Sequence, residues 1–275
     1  MKTKGLATVS DFTPYIDRWA VAQDGNPIVT HSSRLLPVRR NGEPAMLKIA
    51  ATPEEKRGAG LMIWWNGIGA ARVLEHDDDA ILLERATGSR SLAVMAEHGE
   101  DDEASAILCK AVAELHKPRA APPSNLVPLS DWFQALYAAP ERGIFARCAE
   151  AARTLLADPR DVVALHGDIH HANVLDFGDR GWLVIDPKGL KGERGFDYAN
   201  IFCNPDHPAA TAPGRLAREV EVVAHAAQLE RGRLLRWILA WAGLSATWLI
   251  EDGETQHVEP TLRVAEIAAA EIDKG

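Results

Sequence analysis

Between Leu165 and Gly189 the chain reads LHGDIHHANVLDFGDRGWLVIDPKG, in which Asn173 stands five positions after Asp168 and Asp186 thirteen after Asn173. Phosphoryl transfer from ATP calls for a carboxylate beside the acceptor hydroxyl and for two oxygen ligands on a Mg2+ ion that bridges the phosphates. Asp168 suits the first role, and Asn173 and Asp186 suit the second. The rival reading gathers His166, Asp168, His170 and His171 into a zinc cluster for a hydrolase, since these residue types ligate that metal. It leaves Asn173 without a purpose. Under the phosphoryl-transfer reading His166 is structural and bonds backbone behind the loop, while His170 and His171 pack against the loop or face solvent.

Such a set must be brought together by its scaffold. Asn173 to Phe177 and Gly181 to Ile185 read as a short hairpin that returns Asp186 to the edge where Asp168 and Asn173 lie. Val162 to Leu165 precedes it as a further strand. Upstream, the first eighty-odd residues favour strands: Asn26 to Val38 and Pro44 to Ile49, with Asn41-Gly42 as a hairpin turn signal between them. Thr52 is placed to cap a helix that opens at Pro53 and runs to about Trp65. Val73 to Glu75 and Ala80 to Glu84 predict two more strands. From Ser89 onward the spacing becomes helical. Asp101-Asp102-Glu103 suits a helix N-terminus, and helices are expected over Trp132 to Ala138, Ile144 to Leu156, Leu216 to Leu229, Leu234 to Ile250 and Thr261 to Ile272. Pro118 to Pro128 reads as a surface loop. The fold class expected is α+β: a small β-rich lobe over residues 1–86, then a larger helical lobe over residues 87–275 with a short central β-hairpin.

Composition narrows the function classes. The 275 residues suffice for two lobes around a cleft, and 47% apolar with 25% charged residues is ordinary for a folded protein. A net charge of −9 argues against a nucleic-acid partner and permits a cationic substrate. Cys109, Cys148 and Cys203 show neither a disulfide framework nor a CxxC metal site. The opening MKTKGLATVSDFTPYIDRWA lacks a signal-peptide apolar run, and no stretch approaches the ~18 apolar residues of a membrane span. A cytoplasmic protein is therefore expected, with no membrane contact and no protein partner implied.

The catalytic-loop segment resembles that of the aminoglycoside phosphotransferases, which share the protein-kinase-like bilobal fold. HGDIHHANVL, GWLVIDPKGLKGERGF, EEKRGAGLMIWWNGIGAARVL and ILLERA are similar to the streptomycin 6-kinase (aminoglycoside 6-phosphotransferase) and hydroxyurea phosphotransferase group, over about Lys48 to Pro205. The resemblance implies ATP and Mg2+ as cofactors, and an aminoglycoside acceptor, with streptomycin and its 6-hydroxyl as the first expectation and antibiotic resistance as the outcome. It implies that Lys48 holds the ATP phosphates with Glu55 as its ion-pair partner, Glu54 being the competing choice. Leu82 to Ala86 would be the hinge, with Glu84 and Ala86 meeting the adenine. Thr30-His31-Ser32-Ser33-Arg34 would cover the phosphates, with the hydroxyls of Thr30, Ser32 and Ser33 serving where a G-x-G-x-x-G motif usually does. Acidic residues of the helical lobe would hold the cationic substrate: Glu193, Asp206, Glu251, Asp252 and Asp197. For Asp197 the competing role is to brace the catalytic loop through its amides. The tryptophans Trp64, Trp65, Trp182, Trp237, Trp241 and Trp248 read as core or lobe-packing residues rather than stacking platforms. Rival readings are a kinase of a sugar, an amino alcohol or hydroxyurea on the same fold, a nucleotide-binding module without activity, and the metal hydrolase.

Overall fold

Alternation along one strand positions the first part of the site. In the computed structural model, which describes residues 11–139 and 142–274, helix α1 (Thr13–Trp19) is followed by β1 (Val21–Gln23), β2 (Ile28–Val29), β3 (Ser33–Arg40) and β4 (Glu43–Ala50). Helix α2 (Pro53–Trp65), β5 (Val73–His76) and β6 (Ala80–Glu84) complete this part. The strands form one antiparallel sheet in the order β1-β3-β4-β6-β5, with β2 on β3. Successive side chains of a strand point to opposite faces. Leu47 and Ile49 of β4 therefore pack with Leu36, Val38, Leu82, Phe12 and Trp19 on one face. Met46 and Lys48 face the other way, towards the rest of the molecule.

Helix α2 starts where the Thr52 hydroxyl accepts from the Glu55 amide at 3.4 Å and ends at Asn66 in the left-handed conformation. Its Leu61, Met62 and Trp65 join a second, larger core that continues into the helical part. That part comprises α3 (Leu92–Glu97), α4 (Asp101–Leu115), β7 (Val127–Pro128), α5 (Leu129–Trp132), α6 (Gln134–Ala138), α7 (Gly143–Ala157) and β8 (Val162–Leu165). Then come β9 (Val174–Asp176), β10 (Trp182–Val184), β11 (Leu190–Glu193), a 3-10 segment (Arg194–Cys203), α8 (His207–Ala210), α9 (Arg215–Ala227), α10 (Arg231–Glu251) and α11 (Val258–Asp273). The α10 helix is the hub, contacting α7, α11 and the 3-10 segment. Among the described residues no helix is long and apolar enough to cross a membrane.

The expected elements are present with several differences. The strand expected over Asn26 to Val38 is two strands parted by a turn, because the Thr30 hydroxyl accepts from the Ser33 amide at 2.9 Å. Phe133 divides the helix expected over Trp132 to Ala138 into α5 and α6. The end of the Pro-rich loop is not free: Val127 and Pro128 pair in parallel with β11, a strand the patterning does not reveal. β8 pairs with that same β11, whereas β9 and β10 form a separate hairpin, and Val184 of β10 also bridges Ala70 in parallel. The first half of the stretch read for a leader, residues 1–10, lies outside the described residues.

Candidate active site

Asp168, Asn173 and Asp186 converge as their spacing predicts. The Asn173 Nδ2 donates to the Asp168 backbone carbonyl at 2.9 Å and reaches its Oδ2 at 3.3 Å. Asp186 follows β10 and sits in the left-handed region at φ 64°, a conformation that is costly for a residue other than glycine and that marks sites where a side chain must be aimed. Asp197 holds the loop from behind: its Oδ2 accepts from the His166 amide at 2.9 Å and its Oδ1 from the Gly167 amide at 2.7 Å. Gly167 stands at φ 87°, and a Cβ there would lie 2.7 Å from the Leu190 side chain.

His166 uses both ring nitrogens on backbone. Nε2 lies 2.8 Å from the Ile185 carbonyl, so it carries the proton, and Nδ1 accepts from the Asp168 amide at 3.2 Å. Burial lowers its pKa and outweighs the pull of Asp197 and Asp168, consistent with a neutral ring. His171 is buried elsewhere, near Arg215, with neither ring nitrogen hydrogen-bonded; burial and then that guanidinium push it down to about 4. Among the described residues a four-residue zinc cluster is not assembled, since no three His, Cys, Asp or Glu side chains are grouped to hold a metal ion, and the His166 lone pair is occupied.

Lys48 pairs with both Glu55 and Asp186, which resolves the choice between Glu54 and Glu55. The Ser32 hydroxyl donates to Glu55 at 2.6 Å, and those of Thr30 and Ser33 lie 3.0 Å apart, so the turn is a small hydroxyl cluster tied to α2. A cavity of about 180 Å³ opens between the sheet and the hairpin, lined by Thr30, Ser33, Lys48, Ala86, Asn173 and Asp186 among others. Its apolar walls include Leu35, Met46, Leu83, Leu175, Phe177 and Ile185. Glu84 lines it too, with its carboxylate engaged by Arg180 and by the Arg72 amide. Burial raises the Asp186 pKa, but the Lys48 and Lys188 ammoniums outweigh it and hold the carboxyl below its usual range. The donor set fits Mg2+: Asn173 spends its NH2 on Asp168, which leaves its amide oxygen, and Asp186 adds a carboxylate on the same cavity.

On the other side of Asp168 lies a cleft of about 560 Å³, whose lining includes Glu54, Asp131, Trp132, Asn200, Trp248 and Asp252. Sequence reasoning missed Asn200, whose Nδ2 donates to Asp168 Oδ1 at 2.9 Å while its Oδ1 accepts from the Trp241 indole at 2.9 Å. Lys188 was also missed, although it stands two residues from Asp186 in the same quoted segment. Trp241 is buried in the core as expected and Trp248 packs partly buried against it, and both also line this cleft, meeting edge to face at 5.9 Å.

The acidic residues expected on the substrate divide. Asp252 lines the cleft, whereas Glu251 is exposed outside its lining. Glu193 is 3% exposed, with both oxygens consumed by Arg233, the Trp237 indole and the Arg160 amide, so it has nothing left for a ligand. Asp206 caps α8 by accepting from the Ala209 amide at 2.8 Å. Asp197 is 2% exposed and committed to the loop amides and the His116 ring, so it braces rather than binds.

Residues 18–253 match the model of the family described as aminoglycoside/hydroxyurea antibiotic resistance kinase. The chain is 54% identical over 244 residues to a streptomycin 3''-kinase of Klebsiella pneumoniae, an alignment covering 86% of this chain and 92% of that protein. It is 34% identical over 279 residues to a streptomycin 6-kinase of Streptomyces griseus, covering 92% and 87% respectively. Its fold superposes with a TM-score of 0.65 and 15% identity on a thermostable aminoglycoside phosphotransferase mutant solved with ADP and hygromycin B, covering 94% of this chain and 98% of the other.

Proposed function

Because the chain belongs to the aminoglycoside/hydroxyurea antibiotic resistance kinase family and is an ATP-dependent phosphotransferase with a hydroxyl acceptor, we propose that its substrate is streptomycin. The observation that carries the mechanism is that Asp168 lines the cleft walled by acidic and aromatic side chains while it is hydrogen-bonded to Asn173, which lines the cavity bearing Lys48 and Asp186. Residues 1–86 then form the nucleotide-binding lobe and residues 87–275 the catalytic and substrate lobe.

In this reading Lys48, fixed by Glu55, holds the ATP phosphates, and the turn of Thr30, Ser32 and Ser33 covers them. Glu84 and Ala86 border the adenine through their backbone. Asn173 and Asp186 hold Mg2+, which when bound neutralises charge on the phosphates. Asp168 accepts the proton of the acceptor hydroxyl, its carboxylate oriented by Asn200 and Asn173. Asp131, Asp252 and Glu54 face the acceptor cleft, where carboxylates complement a cationic substrate.

The higher identity to the 3''-kinase supports the 3''-hydroxyl as acceptor, in place of the 6-hydroxyl first expected; the 34% relative supports the latter. Incubation with ATP and streptomycin, other aminoglycosides, hydroxyurea and small sugars, with the phosphate located by phosphorus–proton NMR, distinguishes them. Streptomycin phosphorylated on the 3''-hydroxyl is expected. A product bearing the phosphate elsewhere, or turnover of another acceptor alone, overturns the corresponding part. Asp168→Ala should lower kcat by about 10²–10⁴-fold with AMP-PNP affinity nearly unchanged.

A further inference from the structure

The loop HGDIHHAN carries no lysine or arginine, so a cation on the acceptor side of Asp168 must come from elsewhere. Lys48 is bound to Glu55 and Asp186 on the nucleotide side, and Arg85, which also lines that cavity, is paired with Asp24. Lys188 is different. Its backbone amide donates to the His166 carbonyl at 2.7 Å, which pins its Cα to the catalytic loop. Its side chain is 17% exposed and lines the acceptor cleft. Its Nζ lies 3.7 Å from Asp168 Oδ2, 3.8 Å from Asp186 Oδ2 and 3.6 Å from Glu54 Oε1. All three distances exceed hydrogen-bond length, so charge attraction rather than a hydrogen bond to any one carboxylate holds the ammonium among them.

We propose that Lys188 is a catalytic residue whose ammonium contacts the phosphoryl group as it passes from ATP to the acceptor; the proposal rests on the reading of the site as an ATP phosphotransferase centre. As the acceptor oxygen bonds to the γ-phosphorus, the bond to the β–γ bridging oxygen breaks with its electron pair leaving on ADP, and the hydroxyl proton passes to Asp168. Negative charge moves through the space between Asp168 and Asp186, which is where the ammonium sits. A preplaced cation there favours the transition state over bound ATP, because the ground-state γ-phosphate is served from the Lys48 side.

The test compares wild type with Lys188→Met and Lys188→Gln. The expected result is a loss in kcat of about 10²-fold or more, with a similar loss of affinity for MgADP with aluminium fluoride and streptomycin, and AMP-PNP affinity within about threefold of wild type. Three results overturn the proposal: kcat within about threefold of wild type, equal weakening of the two analogues, or both variants failing to bind AMP-PNP, each of which assigns Lys188 a structural role. Transfer of the phosphoryl group from ATP to water, assayed without any aminoglycoside, is expected to fall by the same ratio in both variants. Absent streptomycin turnover by wild type would therefore count against the substrate and not against Lys188.

Discussion

Neither oxygen of Asp168 is left to rotate freely. Asn200 holds Oδ1, Asn173 reaches Oδ2, and the Asn200 amide is itself oriented by Trp241, whose indole can only donate and so must face the amide oxygen. A general base held this way presents one set of lone pairs to the hydroxyl, and misplacement by about an ångström costs on the order of 10²-fold in rate. Asn200→Ala is accordingly expected to lower kcat by about 10–100-fold and to leave the KM for ATP unchanged, since Asn200 lines the acceptor cleft rather than the nucleotide cavity. Steady-state kinetics with both substrates varied would check this, and a rise in the KM for ATP with kcat intact would refute it.

Helix α2 carries Glu55 and passes so close to the segment after Asp186 that only glycine fits at the crossing. A Cβ on Gly58 would lie 2.0 Å from the Pro187 carbonyl oxygen. The same approach lets one helix serve Lys48 through Glu55 and Lys188 through Glu54. Two effects oppose each other in Gly58→Ala. Helix propensity favours alanine by about 1 kcal/mol, whereas a backbone overlap that moves a helix costs typically 1–3 kcal/mol. The overlap should win, giving a lower melting temperature and a drop in kcat/KM for ATP; a variant more stable than wild type would show that the helix can shift without penalty.

At the scale of the whole molecule, α4 and α9 are joined by an ionic cluster. Arg215 grips Asp101 with contacts of 2.6 and 2.8 Å, and Glu219, fully buried, accepts from the Ser105 hydroxyl at 2.5 Å. Burial, aided by Asp102 and Asp101, pushes Glu219 up to about 7 from an ordinary 4.5. A carboxyl with a folded pKa above its unfolded value keeps its proton while the unfolded chain loses it, so stability falls as pH rises from about 4.5 to about 7. Glu219→Gln removes that dependence. Relative to wild type the variant should gain about 2 kcal/mol between pH 5 and pH 8, measured by urea unfolding at each pH. An unchanged difference would mean that Arg218, whose guanidinium lies 3.1 Å from Glu219 Oε1, already keeps Glu219 ionised.

The catalytic segment was legible because its chemistry is local. Asp168, Asn173 and Asp186 are separated by a tight loop and a two-stranded hairpin, so spacing alone brings them to one edge, whereas Lys48 and Glu55 follow only from what the family resemblance implies, since a lysine on a strand by itself says nothing of function. The turn at Asn41-Gly42 and the cap at Thr52 are local signals of the same kind. What the tertiary structure decided depends on partners far apart in the chain. Asn200 and Trp241 reach Asp168 only after the 3-10 segment and α10 pack together. Glu193 and Asp206 looked like any exposed carboxylates until folding gave one a guanidinium and an indole and the other a helix N-terminus. Lys188 lay in plain sight beside Asp186, yet nothing in its neighbours tells whether a lysine there faces water or three carboxylates, because that depends on the approach of α2 over Gly58.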